Sequence, residues 1–291
     1  MTGEPLAKLF ATTFMYSACK VVGPAFWPEW LKDQLAALDD SEWPGLRTLG
    51  QLRRVCEYDL HVDGSTYITR ARSVAVGHFL RSAHDVWLTV DDDVYVQEDV
   101  LRRVVLACRA TRGGIALPYM NRDGHSMTFR KVSGPTLWLT RGGVPVARGL
   151  DGVGVPPTGD TLPLRVVDRV GFGCVALHRD LVEALAADAP KFREKALVGE
   201  VDCPALFLEG AQDGEWVGED FYFSALAERA GRPLHVLLNA PCEHAGIAAM
   251  LDGEGQICVR DPEHARILDM SLRAKEALVS DDRQPDKSQG G

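Results

Sequence analysis

Over the first 120 residues, short β-branched runs alternate with amphipathic stretches, and that alternation predicts a parallel α/β sheet. Residues 9–15 and 53–60 read as strands. Val86-Trp87-Leu88-Thr89-Val90 is apolar at successive rather than alternate positions, the pattern of a strand buried on both faces. Trp30, Leu31, Leu35 and Leu38 fall near helical spacing and predict a helix over 28–38. Ala71, Val74, Ala75, His78 and Phe79 share one face of a helix over 70–83. Leu101, Val104, Val105 and Cys108 do the same over 98–110. Ile115-Ala116-Leu117-Pro118 closes the unit as a further strand.

The pattern then changes. Residues 124–170 are rich in Gly and Pro with short β-like runs at 136–140 and 164–170, which predicts hairpins or an excursion from the sheet. Helices are expected at 179–187 and 219–230, the second ending at Gly231 as a C′ glycine. A strand at 234–238, a weak strand at 257–259 and a helix at 262–277 follow. The last dozen residues are polar and are expected to be disordered. The expected organisation is one domain over 1–250, an extension over 251–278 and a tail over 279–291.

Composition narrows the class without naming it. The chain has 291 residues, 46% hydrophobic and 25% charged, as an ordinary globular protein does. Its net charge of −9 argues against a general nucleic-acid binder. Seven cysteines, no two at C-x-x-C spacing, fit buried thiols in a reducing cytosol rather than a zinc site. No basic segment precedes an apolar stretch at the N-terminus, and no apolar run approaches the ~20 residues of a spanning helix. A soluble cytoplasmic protein is expected.

Candidate chemistry begins where the buried strand ends, at Asp91-Asp92-Asp93. In an open α/β sheet, ligands bind at the carboxyl ends of the strands. Three adjacent carboxylates there repel one another. A divalent cation would compensate them, since Mg²⁺ or Mn²⁺ needs only one or two carboxylates and shares its remaining shell with water and phosphates. The competing reading is ordinary loop acidity, with Gln97-Glu98-Asp99 capping the next helix.

Three further segments complete a series: Tyr67-Ile68-Thr69-Arg70-Ala71-Arg72-Ser73, Gly218-Glu219-Asp220-Phe221-Tyr222-Phe223, and Cys242-Glu243-His244-Ala245-Gly246. With the aspartates and the stretch Gly171-Phe172-Gly173-Cys174-Val175-Ala176-Leu177-His178-Arg179, their order resembles the nucleotide-diphospho-sugar glycosyltransferases of the GT-A fold. The likeness is to the small family-2-like enzymes of bacteria and phages, and it runs from about residue 9 to 246. It implies a Rossmann-like, mostly parallel sheet flanked by helices. The nucleotide-binding half would cover about 1–120 and the acceptor half about 121–250, with the β-rich excursion on the acceptor side.

The resemblance implies roles for individual residues. Asp91 and Asp93 are the two aspartates of the DxD motif and, with His244, the expected metal ligands. Asp91 and Asp92 are also candidate nucleotide contacts, and Asp92 should point the other way along an extended segment. An imidazole ligand favours Mn²⁺ over Mg²⁺. Arg72 matches an arginine near the nucleotide or diphosphate. Ser73 stands where the family has Asn, and Arg70 is the substitute candidate. Thr12 in the first strand and Trp216 are further donor contacts, with Trp216 carried on a lid over 209–217. Glu219 and Asp220 are the candidate bases, and the resemblance favours Asp220 and an inverting hexosyl or pentosyl transfer. Carboxylates at a helix start are favoured anyway, by about 0.3–1 kcal/mol. Gly171 and Gly173 would allow close backbone approach or form a bulge.

The expected donor is a nucleoside-diphosphate sugar such as a UDP-sugar. The acceptor is left open among a protein, a glycan, a small molecule and a modified DNA base. Other classes share parts of the pattern. A haloacid-dehalogenase-type phosphatase would place Thr or Val where Tyr95 stands. A nucleotidyltransferase would want a basic, glycine-rich loop over 16–25. A non-catalytic nucleotide-sugar binder would leave the four segments unrelated.

Overall fold

The structure, a computed structural model, describes residues 6–14, 44–63, 67–121, 127–140, 161–195, 200–212, 214–244, 247–253 and 256–259. Its first half comprises β1 (Leu6–Phe14), α1 (Pro44–Val55), β2 (Cys56–Asp63), α2 (Ile68–Arg81), β3 (Val86–Asp91), β4 (Val94–Tyr95), α3 (Glu98–Thr111) and β5 (Gly114–Ala116). Then come β6 (Val132–Thr140), β7 (Thr161–Val167), β8 (Cys174–His178), α4 (Arg179–Ala186), β9 (Lys191–Lys195), β10 (Glu200–Pro204), β11 (Gly210–Gln212) and β12 (Glu215–Val217). The last described elements are α5 (Glu219–Arg229), β13 (His235–Leu237), β14 (Cys242–His244), β15 (Ile247–Leu251) and β16 (Ile257–Val259).

The centre is an eight-stranded sheet in the order β2-β1-β3-β8-β5-β13-β7-β6. β1 runs parallel to β2 and β3, and β5 parallel to β13. β8 is wedged antiparallel between β3 and β5, and β7 lies antiparallel to β13 and β6. All strands but β8 and β7 thus point one way, giving an α/β fold on a mostly parallel sheet.

Both faces of the sheet are covered. Val86, Leu88 and Val90 of β3 face a core shared with Leu49 and Leu52 of α1 and with Val100, Leu101, Val104 and Val105 of α3. Trp87 faces the other core, with Ala71, Ala75 and Phe79 of α2, Leu181 and Val182 of α4, and Phe223 and Ala227 of α5. This is why the β3 run is apolar without alternation.

Most sequence-predicted elements fall in place within a few residues. The strand expected over 53–60 is shifted, because residues up to Val55 belong to α1. That helix was not anticipated. Pro44 opens it, where a missing N–H costs nothing, and Leu49 and Leu52 dock it on the sheet. The stretch after Gly173 contains β8, a strand at the middle of the sheet. The excursion over 124–170 supplies the β6–β7 hairpin, which extends the sheet at its edge. The helices expected at 28–38 and 262–277 and the polar tail lie outside the described residues. Among the described residues, no helix is long and apolar enough to cross a membrane. Cys108, Cys174, Cys203, Cys242 and Cys258 are free thiols.

α1 fixes the turn that follows β3. Gly45 N–H donates to the Asp92 carbonyl at 2.9 Å. The buried Thr48 hydroxyl donates to the Val94 carbonyl and accepts from Val96 N–H, both at 2.9 Å. Position 45 tolerates nothing larger than glycine, because a Cβ there would lie 2.5 Å from Asp91 O and 2.8 Å from Asp92 Cα. Gly45→Ala must push α1 off the aspartate turn. We expect a loss of about 1–3 kcal/mol, as for overpacked cores, read from urea unfolding. An unchanged midpoint would mean that the helix is not seated on the turn.

Candidate active site

Arg72 is the side chain around which the site is built. It sits on the inward face of α2 and is only 2% exposed. Its guanidinium lies beside the rings of Phe172 (5.5 Å) and Phe207 (5.9 Å). A charge buried this deeply must be paired and hydrogen-bonded. Nη2 donates to Asp91 Oδ1 at 3.1 Å, and Nη1 donates to Glu219 Oε1 at 3.0 Å and to Asp220 Oδ1. Arg70, the substitute candidate, is directed elsewhere and pairs with Glu194 at 2.6 Å.

The three aspartates do not lie on one extended segment. β3 ends at Asp91, Asp92 and Asp93 form a turn, and β4 follows. Asp91 faces Arg72, while the turn gives Asp93 a different partner. β4 pairs with β14 so that His244 stands opposite Val94. This register brings His244 Nε2 to 3.1 Å from Asp93 Oδ2, while Nδ1 lies 2.6 Å from the Met120 carbonyl. A carbonyl only accepts, so Nδ1 carries a hydrogen. Nε2 then meets a carboxylate, which is favourable only with a proton or a cation between them. A backbone carbonyl fixing the far nitrogen is the usual support of a metal-bound histidine.

Burial pushes the Asp91 carboxyl above its ordinary range; Arg72 opposes the rise, and the negative charges of Asp93 and Glu219 add to it. Asp91 pairs with Arg72, and Asp93 with His244. Consistent with that division, no group of three His, Cys, Asp or Glu side chains among the described residues is gathered closely enough to hold a metal ion.

Glu219 and Asp220 open α5, where the helix dipole favours negative charge. They differ in how fully they are engaged. Asp220 Oδ1 accepts from Arg72, and its Oδ2 accepts from Phe172 N–H at 3.0 Å. Glu219 gives only Oε1 to Arg72, and its Oε2 makes no hydrogen bond among the described residues. Before α5, the expected lid is a β11–β12 hairpin, with Glu215 held by Arg130 at 3.1 Å. Trp216 on it is 70% exposed. Thr12 lies on β1, opposite Thr89 of β3 and close to the strand end that carries Asp91.

Sequence reasoning missed Tyr119. Its ring is 4.8 Å from that of His244. Gly173, whose carbonyl accepts from Asp91 N–H at 2.9 Å, underlies it: a Cβ at 173 would lie 2.4 Å from Tyr119 Cε1. The close approach foreseen at Gly171 and Gly173 is thus to an aromatic ring of the chain itself. Only the pairing of two glycines with an upstream tyrosine hinted at it.

No described protein family matches the chain, and no curated protein does. Among solved structures the chain is similar to the crystal structure of A197 from STIV. The two share 12% identity and a TM-score of 0.44 over 88% of this chain and 95% of that one, and a likeness this weak carries no functional argument.

Replacing Arg72 by Met leaves three carboxylates without their cation, and breaking such a buried pair costs about 3–5 kcal/mol. The loss depends on pH. Asp91 already sits above its ordinary 3.8, and without Arg72 it rises further. The folded chain then holds the extra proton, so stability falls as pH rises through the folded value. The deficit of Arg72→Met is largest at neutral pH and shrinks toward 3.8 in urea titrations at two pH values. A pH-independent deficit would mean that the guanidinium serves packing alone.

Proposed function

We propose that this chain is a metal-dependent glycosyltransferase of the GT-A type, moving a sugar from a nucleoside-diphosphate sugar to an acceptor hydroxyl with inversion. The observation that carries the reading is the meeting of three groups at the carboxyl end of β3. These are the buried Arg72, the Asp93–His244 pair, and the acidic pair that opens α5. The mostly parallel sheet is compatible with that architecture, and the site lies where an open α/β sheet binds ligands.

Of the three expected ligands, Asp93 and His244 stand together and would hold the cation, their oxygen and imidazole donors suiting Mn²⁺ or Mg²⁺, while Asp91 is engaged by Arg72. When bound, such an ion supplies positive charge against the developing charge of a diphosphate leaving group. Arg72 adds a guanidinium beside it, already desolvated and oriented, so little reorganisation is needed when the charge appears. The acceptor oxygen bonds to the anomeric carbon as the bond from that carbon to the diphosphate oxygen breaks. The nucleoside diphosphate leaves with the electron pair, and the acceptor proton passes to a carboxylate. The resemblance gives that task to Asp220. The hydrogen bonding favours Glu219, because Asp220 has both oxygens occupied while Glu219 keeps Oε2 open. Asp220 then orients Arg72 and the Phe172 backbone. Trp216, exposed on the hairpin before α5, offers a sugar an apolar platform.

The test is release of nucleoside diphosphate from a panel of sugar nucleotides with Mn²⁺. Asp93→Ala should abolish turnover, and full retained rate would sink the metal assignment. Glu219→Gln should lose about 100-fold or more in transfer with donor affinity unchanged, the scale of a missing general base. Asp220→Asn should instead lower the melting temperature along with the rate. The opposite pattern would return the base to Asp220.

A further inference from the structure

We infer that Tyr119 reads a hydroxyl of the donor sugar and so helps decide which sugar the site accepts. The inference rests on the glycosyltransferase reading above and deepens it. Tyr119 is only 8% exposed. Its backbone is satisfied by Thr128, whose N–H donates to the Tyr119 carbonyl at 2.8 Å. Its phenol makes no hydrogen bond among the described residues. A phenol that the described residues leave unengaged, beside His244, can serve a ligand.

The surroundings say what kind of partner. The ring is held between His244 on one side and the backbone of Gly171 and Gly173 on the other. A Cβ at Gly171 would lie 2.9 Å from the phenol oxygen, so both glycines keep this slot open. The hydroxyl lies within the fields of Asp91, Asp93 and Arg72. A phenol carries one O–H donor and acceptor lone pairs, so it can both donate and accept. A phosphate would be drawn to Arg72 and to a cation beside Asp93 rather than to a neutral phenol flanked by carboxylates. A sugar hydroxyl both donates and accepts, as the phenol does.

Tyr119→Phe removes the oxygen and keeps the ring. Binding would be measured with Mn²⁺ by calorimetry for UDP-glucose, UDP-galactose, GDP-mannose and dTDP-glucose, each beside its own nucleoside diphosphate. We expect the variant to melt at or above the wild-type temperature and to bind the nucleoside diphosphate as wild type does. Its affinity for the accepted sugar nucleotide should fall about tenfold, one hydrogen bond's worth. Equal affinity for the sugar nucleotide would overturn the inference. An equal loss for sugar nucleotide and diphosphate would overturn it too, placing the hydroxyl on the diphosphate. Wild type that binds none of the seven probes would instead overturn the glycosyltransferase reading, and this inference with it.

Discussion

One buried guanidinium organises the centre of this protein. Arg72 is inside the fold because α2 turns it inward with its apolar face, and a charge cannot stay there alone. Its partners come from elements far apart in the chain: Asp91 from the end of β3, and Glu219 and Asp220 from the start of α5. Meeting them requires β3 and α5 to lie against α2 at the same end of the sheet. The ion cluster thus fixes the geometry of the site and the mutual placement of three elements. It gathers three carboxylates around one cation, a deficit of positive charge that a bound divalent ion would remove.

A second constraint works from the opposite face. The turn at Asp92–Asp93 is held by α1 through Gly45 and Thr48. It leads directly into β4, which belongs to the small β16-β15-β14-β4 sheet rather than to the central one. That handover lets two neighbouring aspartates serve different partners, Asp91 with Arg72 and Asp93 with His244. A straight strand through Asp91–Asp93 would send both side chains to one face and leave them to repel each other.

The sheet was legible in the sequence where burial acts on every position of a short run, as in β3, or on one helical face, as in α2 and α3. β8 was harder to read. Its run passes straight into α4 with no break, His178 being both last strand residue and helix cap. α1 was missed because its arginines and threonine obscure the spacing of Leu49 and Leu52. The side chains of the candidate site were visible as types, since Asp91, Asp93, Arg72, Glu219, Asp220 and His244 stand in a recognisable order. How they divide was not visible. The turn after Asp91, the full engagement of Asp220 and the slot around Tyr119 all depend on contacts between segments tens to more than a hundred residues apart, which no local pattern encodes.

The most direct measurement is a thermal-shift panel of UDP, GDP, CDP and dTDP, each with Mn²⁺ or with EDTA. A ligand at 100 times its dissociation constant adds about 2.7 kcal/mol of stability, enough to move the transition clearly. The account predicts stabilisation by one nucleotide with Mn²⁺ and its disappearance with EDTA. No metal-dependent shift with any of the four would contradict it, leaving the cluster around Arg72 as a structural ion network.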